Sequence, residues 1–367
     1  MRDWNSQLSI LTALLLLADL AKAGPIYNVA TIGNLGGQEI AAFAINGSGA
    51  VSGWGTNPAG DFRAFTAGSG APSEPGLESR GGRLNSAGAV AMTVYSQDTS
   101  QAAVWADGVV TVLPGIGGAF ASALDINDSS IIAGGATTAA GSGLAVLWQD
   151  GLPSVIGALP GGTWSSAYGI NAQNQVVGYG DTAGGNFRGF LWDSAGGMRV
   201  LGTLGGASSY AMAINDSGWV AGHAAVASGY LHAFLFDGSR MIDLGALGAA
   251  NSHAYGVNFS GHVVGYSDVG GSTLPHAFIY RDGVLTDLND LIDAPGWELT
   301  EAYGINDAGQ IAGSGYFNGE RMAFRLDPKP PDQLLEPYHA PEPSTWILLG
   351  IGLLLIAGGV FKRPRRG

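Results

Sequence analysis

Two polar side chains, Asn215 and Asp216, stand in the stretch AINDSGWVAG at residues 213–222, where an amide and a carboxylate could bind a cation or serve a reaction. Variants of this stretch occur seven times, and every copy contains the asparagine. The seven are Asn46, Asn85, Asn127, Asn171, Asn215, Asn258 and Asn306. The next residue is aspartate in only three copies. Because Asn followed three residues later by Gly is typical of a type I turn, we predict that these asparagines are structural repeat turns.

Histidine and acidic residues offer two further candidates for chemistry. His232 and His276 occupy the same repeat position, but a metal-binding ring would need ligands from more of the copies. The segment DLNDLIDAPGWE (287–298) gathers carboxylates that could bind Ca²⁺, although their spacing does not match an EF-hand loop. No serine lies in a nucleophile elbow. We therefore predict no catalytic residue, no cofactor and no metal ligand, and calcium binding by the acidic segment stays open as the alternative.

The turn stretch belongs to a longer repeat unit, since its asparagines are spaced by 39 to 48 residues. Each turn is followed by an apolar or aromatic run such as AVLWQ (145–149) or HAFLF (232–236), and most units end like LGTLGG (201–206). Glycine is abundant, with 61 residues in a chain of 367, which suits many short strands joined by tight turns. Four short strands in a unit of roughly 43 residues are typical of a β-propeller blade.

The two ends of the repeat region complement each other. The seventh unit stops at MAFRLD (322–327), before its fourth strand, whereas GPIYNVATIGNLGG (24–37) reads as a fourth strand without a preceding unit. Pairing the two would remove the free sheet edges of an open stack. We therefore predict an all-β, seven-bladed propeller over residues 24–326, closed by its N-terminal strand.

The N-terminal segment is predicted to direct export. Residues 1–23 contain an apolar stretch followed by Ala21 and Ala23 at the −3 and −1 positions of a cleavage site. This pattern indicates a secretory signal peptide that signal peptidase removes after Ala23. An uncleaved membrane anchor is the alternative, which the shortness of the apolar stretch disfavours.

The C-terminal segment is predicted to be a sorting signal. Residues 327–340 are a Pro-rich linker, and residues 341–366 contain a Pro-Glu-Pro triplet, an apolar run at 346–361 and a basic cluster. We predict a transmembrane helix over 346–361 with the basic end in the cytoplasm. A simple membrane anchor is the alternative. The signal residues are Pro341, Glu342, Pro343, Lys362, Arg363, Arg365 and Arg366.

Two resemblances to known families follow from these motifs. The order of triplet, apolar run and arginine-rich end resembles the PEP-CTERM sorting signal of Gram-negative bacteria, also catalogued as an ice-binding-protein C-terminal domain without implying ice binding. It implies recognition by an exosortase-type protease at the inner membrane and release to the cell surface, in bacteria that make exopolysaccharide. The repeat unit is similar to the HAF repeat of extracellular proteins, named for the His-Ala-Phe seen at 232–234 and 276–278. No catalytic activity comes with this resemblance.

Composition narrows the functional classes. The formal net charge is −13 at pH 7, which argues against a nucleic-acid partner. The chain has no cysteine, which excludes disulfides and thiolate chemistry. We predict a structural, adhesive or matrix-associated surface protein whose partners are exopolysaccharide or envelope components. A carbohydrate- or ion-binding propeller and a propeller glycan hydrolase or lyase are the alternatives, the first favoured by exposed aromatic residues such as Trp54, Trp164 or Trp219.

Overall fold

The structure is a computed structural model that describes residues 26–68 and 72–330. Its regular structure is almost entirely β-strand, and one short 3₁₀ helix, Leu288–Leu291, occurs in this part of the chain. The strands up to the end of the second repeat are β1 (Tyr27–Gly33), β2 (Ile40–Ile45), β3 (Val51–Thr56), β4 (Phe62–Ala67), β5 (Ser79–Leu84), β6 (Val90–Ser96), β7 (Thr99–Ala106) and β8 (Val109–Val112).

The remaining strands continue the pattern of four per repeat. Those of repeats three to five are β9 (Gly117–Ile126), β10 (Ile132–Thr138), β11 (Gly143–Gln149), β12 (Leu152–Gly157), β13 (Ser165–Ile170), β14 (Val176–Asp181), β15 (Phe187–Asp193), β16 (Gly197–Val200), β17 (Gly205–Ile214), β18 (Val220–Val226), β19 (Leu231–Phe236) and β20 (Met241–Gly245). Those of repeats six and seven are β21 (Gly248–Val257), β22 (Val263–Val269), β23 (His276–Arg281), β24 (Val284–Asp287), β25 (Trp297–Ile305), β26 (Ile311–Phe317) and β27 (Glu320–Pro328).

The prediction of an all-β propeller is confirmed, but the prediction of seven blades is wrong. Within the described residues the strands form six hydrogen-bonded sheets, and the five sheets with four or more strands are the blades, so the propeller has five blades and not seven. A parallel bridge between Ser100 of β7 and Phe120 of β9 joins repeats two and three into one eight-stranded sheet. Among the described residues the first repeat has only β2, β3 and β4, and its connection to β5 at 68–78 contains two prolines, which cannot donate to a strand ladder.

The predicted transmembrane helix at 346–361 lies outside the described residues. Across 26–68 and 72–330, no helix has both the length and the apolar character needed to cross a membrane.

The sheet of the last repeat takes its outer strand from the start of the chain. β1 pairs antiparallel with β27, with Tyr27 opposite Pro328 and Val29 opposite Leu326. The resulting sheet order is β1-β27-β26-β25. The backbone groups of β27 that would otherwise form an open edge are thereby paired.

The core lies between neighbouring sheets, and the third strand of the repeats supplies many of its largest side chains. Five phenylalanines in this strand are completely buried: Phe65, Phe190, Phe234, Phe278 and Phe324. Each lies opposite a glycine of the preceding strand, as Phe234 lies opposite Gly222. A Cβ atom on Gly222 would lie 2.0 Å from the carbonyl oxygen of Tyr210 and 3.0 Å from the Phe234 ring. The glycine that ends the repeat motif is therefore required by close packing.

The seven asparagine turns form a closed ring of hydrogen bonds. In each turn the side-chain amide donates to the main-chain oxygen of the asparagine in the next repeat, at 2.7 to 3.3 Å. The last of these bonds runs from Asn306 back to Asn46. The seven turns thus surround one axis, although their strands belong to only six sheets.

Candidate binding site

A β-bulge in the inner strand of each repeat aims one residue at the centre of the ring. In β2 the pairing passes from Ala42 to Ala44 and skips Phe43. The same break, three residues before the asparagine, occurs in the inner strands of repeats three to seven, at Leu124, Tyr168, Met212, Tyr255 and Tyr303. In β5 the break is wider and spans Gly82 and Arg83. Bulges commonly redirect side chains toward functional sites.

All of these bulge residues line one central cavity with a volume of about 450 Å³, within the range of small-ligand sites. The cavity also contacts Trp54, Arg80 and Tyr95. In repeat two, Gly82 stands in place of the large side chain that the other repeats supply. The second repeat therefore leaves more of the cavity open than a large side chain at this position would.

Aromatic rings form much of the cavity wall. Tyr303 packs edge-on against Phe43 at a ring-centroid distance of 5.0 Å and against Tyr255 at 5.2 Å. Phe43 in turn lies 6.4 Å from Trp54. Burial raises the pKa of the Tyr303 and Tyr255 hydroxyls, so both remain protonated at neutral pH. The wall thus combines flat apolar surfaces with hydroxyl groups.

Arg80 is the most unusual polar group in the cavity. Its guanidinium carbon lies 4.5 Å from the ring centroid of Trp54 and 3.9 Å from that of Phe62. This arrangement gives two cation–π contacts. Its Nε atom is buried and has no hydrogen-bond partner among the described residues. A buried donor without a partner is rare in proteins.

Arg83 and Asp125 form a second charged group beside the cavity. Arg83 donates to the main-chain oxygen of Tyr255 on the other side of the ring. The Asp125 carboxylate accepts from the backbone N–H of Ile126 at 2.8 Å and of Ile170 at 2.9 Å, so it ties two repeats together. Burial raises the pKa of Asp125 to about 6, and the positive charge of Arg83 acts in the opposite direction.

Two histidines extend the aromatic wall in repeats five and six. His223 and His253 lie with ring centroids 4.5 Å apart, between Tyr210 and Tyr266. The Nδ1 atoms of both histidines are buried and lack a partner in the described part of the chain. Burial, with a smaller contribution from the neighbouring His253, lowers the pKa of His223 to about 3. Both imidazoles are therefore neutral at pH 7.

The Asn-Asp pair of the repeat motif is occupied by contacts with the backbone. Asn215 Oδ1 accepts from the N–H groups of Ser217 at 3.0 Å and Trp219 at 2.9 Å. Asp216 accepts from the N–H of Ala172 in the preceding repeat at 2.9 Å. Asp128 and Asp307 make the equivalent contact with Ser86 and Phe259. The aspartate that three of the repeats contain therefore links its own turn to the turn of the preceding repeat by a hydrogen bond.

The other polar candidates are separate from the cavity. His232 contacts Asp243 at 2.9 Å, and His276 contacts Asp287 at 2.5 Å, so each histidine pairs with an aspartate of its own repeat. Asp287 also accepts from the N–H of Asn289 and caps the 3₁₀ helix. Within residues 26–68 and 72–330, no group of three or more His, Asp or Glu side chains is placed to hold a metal ion.

The predicted export residues cannot be located in the structure. Ala21 and Ala23, and the sorting-signal residues from Pro341 to Arg366, lie outside the described residues.

Sequence reasoning missed the bulge residues and Arg80. A signal was present, because a large apolar or aromatic residue stands three positions before the asparagine in six of the seven repeats. Trp54, named from the sequence as an exposed aromatic residue that could stack on sugars, does line the cavity and is half-buried.

The described residues therefore form a β-propeller with a central cavity. No family model matches the chain, and no curated protein resembles it in sequence at a significant level. Among solved structures, a puromycin-hydrolysing peptidase of Mycobacterium tuberculosis aligns with a TM-score of 0.55 at 11% identity, covering 86% of this chain and 57% of the peptidase. This chain therefore spans just over half the length of that peptidase.

Two other solved structures are similar. The β-propeller domain of the Trilobed protease from Pyrococcus furiosus, described as having an open velcro topology, aligns with a TM-score of 0.51 at 12% identity and covers 83% of this chain and 99% of that domain. TolB from Acinetobacter baumannii aligns with a TM-score of 0.45 at 12% identity, covering 76% of this chain and 63% of TolB. At these identities the similarity concerns the propeller fold alone.

Proposed function

We propose that this protein is an exported propeller that binds extracellular polysaccharide at the bacterial cell surface. The observation that carries the proposal is the central cavity of about 450 Å³ with its wall of aromatic side chains. Pyranose rings have apolar faces that pack against aromatic rings, and tyrosine adds a polar group to such a surface. A matrix role would follow from holding polysaccharide chains close to the cell.

The ends of the chain support the extracellular location. Residues 1–23 have the pattern of a signal peptide cleaved by signal peptidase, and residues 341–366 resemble a signal recognised by an exosortase-type protease. The chain would pass through the inner membrane and reach the surface of a Gram-negative bacterium. Polysaccharide is abundant in that location, which agrees with the character of the cavity.

The chemistry of the cavity favours binding over hydrolysis. Glycan hydrolysis commonly uses two carboxyl groups on either side of the scissile bond. The described cavity wall instead presents aromatic rings and two arginines, Arg80 and Arg83. These groups orient a ligand and hold it by contact and charge.

A glycan-binding screen on the full chain tests this function. We expect at least one polysaccharide or oligosaccharide to bind, and the Trp54→Ala variant to bind it on the order of tenfold more weakly, because an aromatic wall is removed. The control is Tyr230→Ala, which removes an aromatic ring that is 52% exposed and lies outside the cavity. The absence of any bound glycan, or equal losses in the two variants, would contradict the proposal.

A further inference from the structure

We infer that the cavity selects acidic sugars and that Arg80 contacts the sugar carboxylate. This inference rests on the proposed polysaccharide binding and names the class of sugar. Its starting point is the charge of the cavity. The protein has a formal net charge of −13, yet the cavity wall contains two arginines and no described carboxylate.

Neither arginine is neutralised by an ion pair. Among the described residues, no Asp or Glu oxygen lies within 4.0 Å of Arg80 or Arg83, whereas Arg63, Arg321 and Arg325 all form such pairs. Asp125 is the acidic group that influences Arg83, and its two oxygens are already bound to backbone N–H groups. Positive charge is therefore available inside an otherwise acidic protein.

Arg80 is held in a position that suits a carboxylate. Its guanidinium carbon lies close to the rings of both Trp54 and Phe62, and these two contacts fix the position of the group. Its Nε atom is buried, so a carboxylate in the cavity would accept from the terminal Nη1 and Nη2 groups. Carboxylates accept from arginine through two parallel hydrogen bonds, and a guanidinium already held by stacking loses less freedom when it forms them.

Arg80 is not explained by the architecture of the repeat. It stands five residues before the asparagine of its turn, a position that no other repeat fills with arginine or lysine. The corresponding residues are Ala41, Ser122, Ser166, Tyr210, His253 and Glu301. Since such varied side chains fit the position, the strand does not need arginine there, and its presence points to the ligand.

The aromatic wall favours a sugar ring as the carrier of the acidic group. Phe43, Trp54 and Tyr303 lie within one connected aromatic cluster beside Arg80. A hexuronic acid combines a pyranose ring for these surfaces with a carboxylate for Arg80. The cavity volume of about 450 Å³ leaves room for a short stretch of such a chain.

Calorimetry with two matched ligands tests the inference on the full chain. One ligand is a trisaccharide of glucuronic acid, and the other is the same trisaccharide with its carboxyl groups reduced to CH₂OH. We expect the acidic form to bind on the order of tenfold more tightly, as for one charge-assisted contact. In Arg80→Gln this preference should disappear, while Arg80→Lys should keep part of it because the charge remains without the planar fork.

A matched control separates the local contact from overall charge. Arg240→Gln also removes one positive charge, but its side chain is 76% exposed and lies outside the cavity, so the tenfold preference should remain. Thermal unfolding of each variant establishes that it is folded at the temperature of the titration.

The outcomes distinguish this inference from the proposed function. Equal binding of the two trisaccharides by the wild type, or an unchanged preference in Arg80→Gln, would overturn the acidic-sugar inference and leave polysaccharide binding intact. Failure of both ligands to bind would also overturn it. If the wider glycan screen is negative as well, the proposed function fails with it.

Discussion

Replacing Asn215 with alanine tests whether the repeat asparagine is structural. The side chain is 7% exposed and makes three hydrogen bonds, two within its turn and one to the carbonyl oxygen of Asn258 at 2.7 Å. Removing one side-chain hydrogen bond within the turn would lower the free energy of unfolding by about 1 kcal/mol. With three contacts at about 1 kcal/mol each, we expect Asn215→Ala to lower the free energy of unfolding by about 3 kcal/mol.

Equilibrium urea unfolding measures this loss, and two further variants separate its parts. Asn215→Asp keeps an acceptor for the turn but replaces the donor with a carboxylate facing the Asn258 carbonyl, so it should also destabilise by more than about 1 kcal/mol. Asp216→Ala removes only one exposed contact, to the N–H of Ala172 at 2.9 Å. It should cost about 0.5 to 1 kcal/mol.

Two results would refute this reasoning. The first is an Asn215→Ala variant no less stable than Asp216→Ala, which would mean that the bond to the next repeat contributes nothing. The second is a loss of ligand binding with unchanged stability, which would assign the asparagine to a binding site.

Two buried titratable groups predict opposite dependences of stability on pH. The pKa of Asp125 is raised from 3.8 to about 6, so the folded state binds this proton more tightly than the unfolded chain does. The free energy of unfolding should therefore fall by up to about 3 kcal/mol as the pH rises from 4 to 6. Urea unfolding of Asp125→Asn at several pH values should lack this decrease; a slope equal to that of the wild type would contradict it. The pKa of His223 is lowered from 6.5 to about 3, so stability is full above pH 6.5 and is lost on acidification, by about 3 kcal/mol at pH 4. His223→Phe should remove this acid loss in the same assay, and an unchanged loss would count against the buried neutral histidine.

Local features of the chain were predictable because they depend on neighbouring residues. The spacing of Asn215 and Gly218 corresponds in the structure to a turn in which the N–H of Gly218 donates to the carbonyl of Asn215 at 3.0 Å and Gly218 has a φ of 77°. The alternation of such turns with apolar strands sufficed to predict an all-β propeller. The number of blades was not predictable in this way, because a linker with two prolines and a bridge between Ser100 and Phe120 alter the pairing of the first three repeats.

The sequence by itself determined the repeat, its turns and its strands, because each depends on residues a few positions apart. Only the tertiary structure decided that one bulge residue from each repeat meets the others in a single cavity. It also decided that Arg83 reaches Tyr255, 172 positions away in the chain, and that Arg80 contacts the rings of both Trp54 and Phe62. These contacts arise from closure of the ring, which brings distant repeats to one axis and places positive charge inside an acidic protein.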